Sequence, residues 1–237
     1  MKKITSLQHP IVKRLVKLRA DRATRYQEKS VLISGRKLAS ELPLKSLFVV
    51  AESDLQADEV FQVTDEIMKK ITGLKNPEGV AAEVKMPSRA TLDKVSRLLV
   101  LDGINDPGNM GTLIRTALAL GWDGVFLLES SCDPFNDKAL RASKGAVFRL
   151  PIQWGNWEEL KKIIDKNALQ LLVADIEGEN YRTVKSNNGL ALILGNEAQG
   201  PSQQSLKNSK KITIPMSGQM ESLNVSIAGG ILLEFLR

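Results

Sequence analysis

Four short apolar runs in the second half of the chain, at residues 98–101, 125–128, 171–174 and 190–194, constrain its fold more than any other feature. Each is too short for a buried helix and apolar at successive positions, so as a strand it must be covered on both faces. Helical patterns lie between them, at about 111–120, near 138–143, and over the amphipathic stretch 158–167. A short helix around 202–207, a strand at 212–215 and a closing helix from Ser222 complete this half. Buried strands joined by helices predict an α/β fold with a mostly parallel sheet layered between helices.

The first third is organised separately. Ile11, Val12, Leu15, Val16 and Leu18 fall at helical spacing, with Lys13, Arg14, Lys17 and Arg19 between them. Apolar strands at 31–33, 47–50 and 79–84 alternate with helical patterns at 36–42 and 66–71, which predicts a small α/β domain. Residues 86–91 break all periodicity. The expected organisation is therefore a domain over 1–88, a linker over 89–96 and a second domain over 97–237.

Charge is distributed as unevenly as the pattern. Within residues 1–40 there are eleven Lys/Arg against Asp21 and Glu28, whereas the rest of the 237-residue chain is slightly acidic. A basic end of this kind attracts a polyanion through counterion release; a solvated charged helix would look the same. One cysteine, Cys132, and one histidine, His9, exclude an internal disulfide and leave almost no ligands for zinc, so no metal is expected. No run approaches a membrane span and no apolar segment follows Met1-Lys2-Lys3, which predicts a cytoplasmic protein with no membrane partner.

Three loops at strand ends are rich in Gly, Asn, Ser and Pro, where open parallel sheets carry their chemistry. In Asp106-Pro107-Gly108-Asn109, Asn109 is placed to cap the following helix, and Arg115 falls on that helix as a fork able to grip phosphate. In Gly195-Asn196-Glu197-Ala198-Gln199-Gly200-Pro201 the glycines let the backbone approach a ligand, and Pro201 suits the first turn of a helix. There is no Walker Lys-Ser/Thr and no dinucleotide glycine triplet. Glu197 would repel a phosphate and suit a cation such as a sulfonium. In the third loop, from Ile214 through Met216 to Ser222-Leu223-Asn224, Ser222 is placed to cap a last helix that is apolar nearly all round, which predicts cover by a second subunit. Taken singly, each loop is equally an ordinary cap or turn.

In this order and spacing the three loops resemble the signature motifs of the SpoU (TrmH) family of RNA 2′-O-ribose methyltransferases. The Arg141-Ala142-Ser143-Lys144-Gly145-Ala146 segment resembles it too. The likeness runs from about residue 97 to the C-terminus. More loosely, the opening Ile4-Thr5-Ser6-Leu7-Gln8-His9-Pro10 and the Val31–Gly35 strand are similar to the substrate-binding domain of the rRNA-modifying branch. The resemblance implies a deep trefoil knot in the C-terminal domain, a homodimer formed through it, and S-adenosylmethionine as methyl donor. It implies Arg115 as the main catalytic residue, with Asn109 orienting Arg115 or the ribose, and Glu197, Ser222 and Asn224 around the reaction centre. Cofactor contacts are implied at Gly195, Asn196, Gly200, Ile214, Met216 and Leu223. The RNA, most of all 23S rRNA, would meet a basic face that includes Arg14, Arg22, Arg25 and Arg36. A tRNA substrate and an inactive knotted RNA-binding module are the alternatives.

Overall fold

The computed structural model describes residues 1–185 and 189–237. The first elements are β1 (Lys2–Ile4), α1 (Pro10–Ala20), α2 (Arg22–Glu28), β2 (Ser30–Ser34), α3 (Arg36–Ala39), β3 (Leu44–Val49), β4 (Glu59–Val63), α4 (Asp65–Thr72) and β5 (Val80–Lys85). Then follow β6 (Arg97–Asp102), α5 (Pro107–Ala119), β7 (Gly124–Leu128), α6 (Asp137–Ser143), β8 (Ile152–Gly155) and α7 (Trp157–Asn167). The last are β9 (Gln170–Asn180), β10 (Leu190–Gly195), α8 (Gln203–Asn208), β11 (Lys210–Thr213) and α9 (Val225–Phe235).

The chain forms two compact units, Met1–Pro87 with Phe135–Gly145, and Ser88–Pro134 with Ala146–Arg237. These units differ from a division at residue 97 in one respect: residues 135–145 pack with the first unit. The reason is burial. Phe135 is only 1% exposed, and its ring meets Tyr26 edge-on at 6.4 Å. Nor are residues 89–96 a free tether, because Leu92 and Val95 are buried in the second unit's core.

The first unit holds a mixed five-stranded sheet in the order β1-β4-β3-β5-β2, in which β5 runs antiparallel to both neighbours. Its core joins Leu15 and Leu18 of α1, Ile67 and Ile71 of α4, and the stacked rings of Phe48 and Phe61. Helix α4 is a stable short helix for local reasons: Thr64 caps it, Asp65 and Glu66 lie in its first turn, and Gly73 ends it in the left-handed region.

The second unit is built on a six-stranded sheet, β11-β9-β10-β6-β7-β8, with every pairing parallel. The two central strands, β6 and β10, are almost wholly buried apolar residues, as strands covered by helices on both faces must be. Strand β9 is much longer than the four apolar residues that announce it. Beyond Val173 it alternates with polar residues and continues to Asn180 beside β11, where Lys210 and Lys211 pair with Glu179 and Glu177. An edge pairing made by the backbone leaves no apolar run in the sequence. Helix α9 buries Gly229, Leu232 and Leu233; a side chain at Gly229 would collide with Leu113 of α5 and Leu194 of β10. The Trp122 indole N–H donates to the Leu233 carbonyl at 3.1 Å. Ile227, Ile231 and Phe235 stay exposed on its other face, so the all-round apolar pattern is only half used among the described residues.

Candidate active site

Strand β6 ends at Asp102 and the chain turns into α5. Asp106, not Asn109, is the N-cap: its carboxylate accepts the Asn109 N–H at 2.9 Å, and Pro107 opens the helix where no N–H is needed. Asn109 lies in the first turn with its side chain free for other partners. Its Nδ2 donates to Oε1 of Glu197 at 3.0 Å. Its Oδ1 accepts from Ser226 Oγ at 3.0 Å and from Asn224 Nδ2 at 3.3 Å. A single amide thus joins all three loops.

The second loop is wound tightly. Asn196 and Gly200 exchange backbone hydrogen bonds at 3.1 and 3.0 Å, and Gly200 sits at φ +70°, where glycine is favoured. The Asn196 side chain accepts from Ala198 and Gln199 N–H and donates to the Gly103 carbonyl at 2.7 Å. Pro201 precedes α8 rather than opening it, since Ser202 is the cap. Gly195 is buried, and a Cβ there would overlap the backbone of Gly200 and Pro201.

This winding aims Glu197 at the start of α5. Oε2 accepts from Asn105 N–H and Oε1 from Asp106 N–H, both at 3.2 Å. Burial pushes the Glu197 carboxyl up, but the Asn109 amide and the N–H groups of Glu197, Asn105 and Asp106 outweigh it and hold the group below the usual carboxylate range. Because the folded value is depressed, this ionised contact is fully present above the unfolded pKa and is lost only as pH falls through the lower folded value. A carbon-13 titration of the Glu197 carboxyl is expected to give a midpoint below 4.5, the ordinary value. A midpoint at or above it would refute the account. Nearby, the Cys132 thiol is pushed up to about 11 by burial, then by Asp133, Glu197 and Asp106. The field around this loop is negative, so it favours a cation over a phosphate.

Asn224, not Ser222, caps α9, accepting the Ser226 N–H at 2.9 Å. A cap side chain bonds the N–H two or three residues on, and for α9, which begins at Val225, that places the cap at Asn224. Ser222 is exposed. Arg115 is exposed on α5 and forms no hydrogen bond or ion pair with the described residues. No hydrogen bond joins Arg115 to Asn109 among the described residues; the Asn109 amide meets Glu197, Ser226 and Asn224 instead. Ile214 is half-buried, while Met216 and Leu223 are exposed apolar side chains on the segment before α9. Ser226 closes the Ser222-Leu223-Asn224-Val225-Ser226 segment of the third loop, at Asn-x-Ser spacing from the cap.

The arginines of the first unit divide by partner. Arg25 is 2% exposed and donates to the Leu18 and Arg19 carbonyls, so it is a structural group and not part of a basic face. Arg14 forks onto the buried Glu83 at 2.8 Å and reaches Glu28 at 2.5 Å. Arg36 pairs with Asp54. Arg22 is exposed and lies 5.3 Å from the Tyr26 ring, with no acidic partner among the described residues. Arg25→Ala should therefore destabilise the protein by about 3 kcal/mol in denaturant unfolding, since it strands buried carbonyls. Arg22→Ala should leave stability unchanged; equal effects of the two would contradict the assignment.

The site residues fit S-adenosylmethionine by their chemistry: an anionic loop for the sulfonium, exposed Met216 and Leu223 for an apolar ring, and a glycine where the backbone is crowded. A family model described as the SpoU rRNA Methylase family matches residues 96–234. The chain belongs to this family. Among relatives, the chain is 32% identical over 250 residues to the 23S rRNA (guanosine(2553)-2′-O)-methyltransferase RlmP of Bacillus subtilis (strain 168), with all of both chains covered. It is 39% identical over 160 residues to the 23S rRNA (adenosine(1067)-2′-O)-methyltransferase of Streptomyces azureus, covering 65% of this chain and 59% of that one. The fold is similar to that of an AdoMet-bound rRNA methyltransferase from Sinorhizobium meliloti, with TM-score 0.87 and 29% identity over 99% of this chain and 96% of that chain. The matched span contains all three loops that Asn109 joins. No helix among the described residues is long and apolar enough to cross a membrane, and no cluster of His, Cys, Asp and Glu among them could hold a metal.

Proposed function

We propose that this SpoU-family chain transfers a methyl group from S-adenosylmethionine to a ribose 2′-hydroxyl of 23S rRNA. The observation that carries the reading is the convergence of three loops on Asn109, with an arginine on the same helix that has no hydrogen-bond or ion-pair partner among the described residues. The names of the relatives above support rRNA as the substrate. When bound, the cofactor supplies an electrophilic methyl group on a sulfonium.

The rest is alignment by this chain's own residues. Arg115 has its guanidinium free for an RNA phosphate, which a planar fork holds in a defined orientation. Glu197 is the anion that faces the cationic ligand. Asn224 has one amide N–H without a partner among the described residues, with which a ribose oxygen can be held, and Ser222 stands two residues before it. Gly195, Asn196, Gly200, Ile214, Met216 and Leu223 line the cofactor's place. The basic N-terminal segment docks the RNA, with Arg22, which has no acidic partner among the described residues, as its leading charge; Arg14 and Arg36 keep their acidic partners.

The second unit is knotted in this reading. Its last strand, β11, lies at the sheet edge, yet α9 returns to α5 and β10 at the centre. The exposed Ile227, Ile231 and Phe235 form the dimer face. The protein acts in the cytoplasm. Protein mixed with methyl-labelled S-adenosylmethionine and RNA from a strain lacking the gene should label one 23S nucleotide. Label confined to tRNA would overturn the substrate, and failure to bind the cofactor would overturn the enzyme.

A further inference from the structure

The amide of Asn109 is nearly saturated. Its carbonyl oxygen receives two donors, Ser226 Oγ and Asn224 Nδ2, which is its full complement of lone pairs. Its nitrogen gives one proton to Glu197. It has no acceptor capacity left for a ribose hydroxyl. Its neighbours are fixed in turn: the Asn224 carbonyl oxygen is held by the Ser226 N–H, and Glu197 by two backbone N–H groups. The orientation of the amide is therefore set by what meets its oxygen. Turned over, it would place an N–H₂ against the Asn224 N–H₂ and an oxygen against the Glu197 carboxylate, two like contacts in place of two hydrogen bonds.

We infer that Ser226 is a positioning residue of the methyl-transfer site: its hydroxyl, donated to the Asn109 carbonyl oxygen, orients that amide toward Glu197 and so registers the Glu197 loop and the Asn224 cap on the start of α5. Ser226 suits the task because it lies in the first turn of α9, where its backbone N–H is engaged by the cap and its hydroxyl is free to leave the helix. It also reaches the Asn109 carbonyl of the main chain at 3.4 Å, so small motions keep it on the same residue.

The inference rests on the proposed methyl transfer for its kinetic arm, and has a second arm that does not. In nitrogen-15 spectra of the protein without ligand, the side-chain amide pair of Asn109, assigned with Asn109→Ala, is expected to shift and broaden in Ser226→Ala and to return in Ser226→Thr. In methyl transfer to RNA, Ser226→Ala should lower kcat about tenfold with KM for RNA unchanged, as loss of alignment without loss of binding does. Ser226→Thr should recover most of it. An unchanged Asn109 amide in Ser226→Ala would overturn the inference. So would a rise in KM at constant kcat, or a folded Ser226→Thr as impaired as Ser226→Ala. If the wild-type protein methylates no RNA, the functional reading fails and the amide spectra alone decide the role of Ser226.

Discussion

Arg115→Ala is expected to lower kcat for RNA methylation by about two to three orders of magnitude, the usual loss when a charge aimed at a reacting centre is removed. Thermal stability should not change, because the exposed guanidinium has no hydrogen-bond or ion-pair partner among the described residues. Cofactor affinity, measured by calorimetry without RNA, should also hold, since among the described residues no hydrogen bond or ion pair ties Arg115 to the loops around Gly195 and Asn224. Arg115→Lys should rescue poorly: an ammonium restores the charge but not the planar fork. A variant that keeps more than about a tenth of wild-type kcat would remove Arg115 from the centre of the reaction. One that unfolds would show it to be structural.

Gly195→Ala should do the reverse, failing through structure first. The added carbon would overlap main-chain atoms of Gly200 and Pro201, and backbone cannot swing aside as a long side chain does. The loop must open, taking with it the paired hydrogen bonds between Asn196 and Gly200 and the position of Glu197. A destabilisation of about 3 kcal/mol follows from overpacking of this kind, together with loss of measurable cofactor binding. Denaturant unfolding and calorimetry read the two effects separately. A stable Gly195→Ala that binds the cofactor normally would show the tight winding to be dispensable.

The two predictions draw on different kinds of legibility. Arg115 stands out in the sequence because an arginine on a helix after a Pro-Gly-Asn loop, with the other two motifs behind it, is a chemical pattern independent of packing. The crowding at Gly195 is not visible that way: a glycine after an apolar strand is consistent with a bulge, a turn or a close approach, and only the coordinates of Pro201 choose among them. The caps show the same limit. Asn109, Asp106, Ser222 and Asn224 are all good N-cap residues, so composition cannot say which one faces the free N–H groups. In each case the residue two or three positions before the first bonded turn is the cap, and that offset depends on where the helix begins.

What the sequence determined by itself is the alternation of buried strands and helices, the basic N-terminal segment and the three motif loops. All are properties of residues near one another in the chain, set by side-chain polarity, spacing and backbone freedom. The tertiary structure decided which polar groups pair. It enclosed Arg25 against the last turn of α1, drew Phe135–Gly145 into the first unit, extended β9 along β11, and brought Ser226 to Asn109, 117 residues away. A polar side chain accepts many partners of similar strength, and the tertiary placement of its neighbours selects one. That selection is made when distant segments meet, so no local pattern carries it.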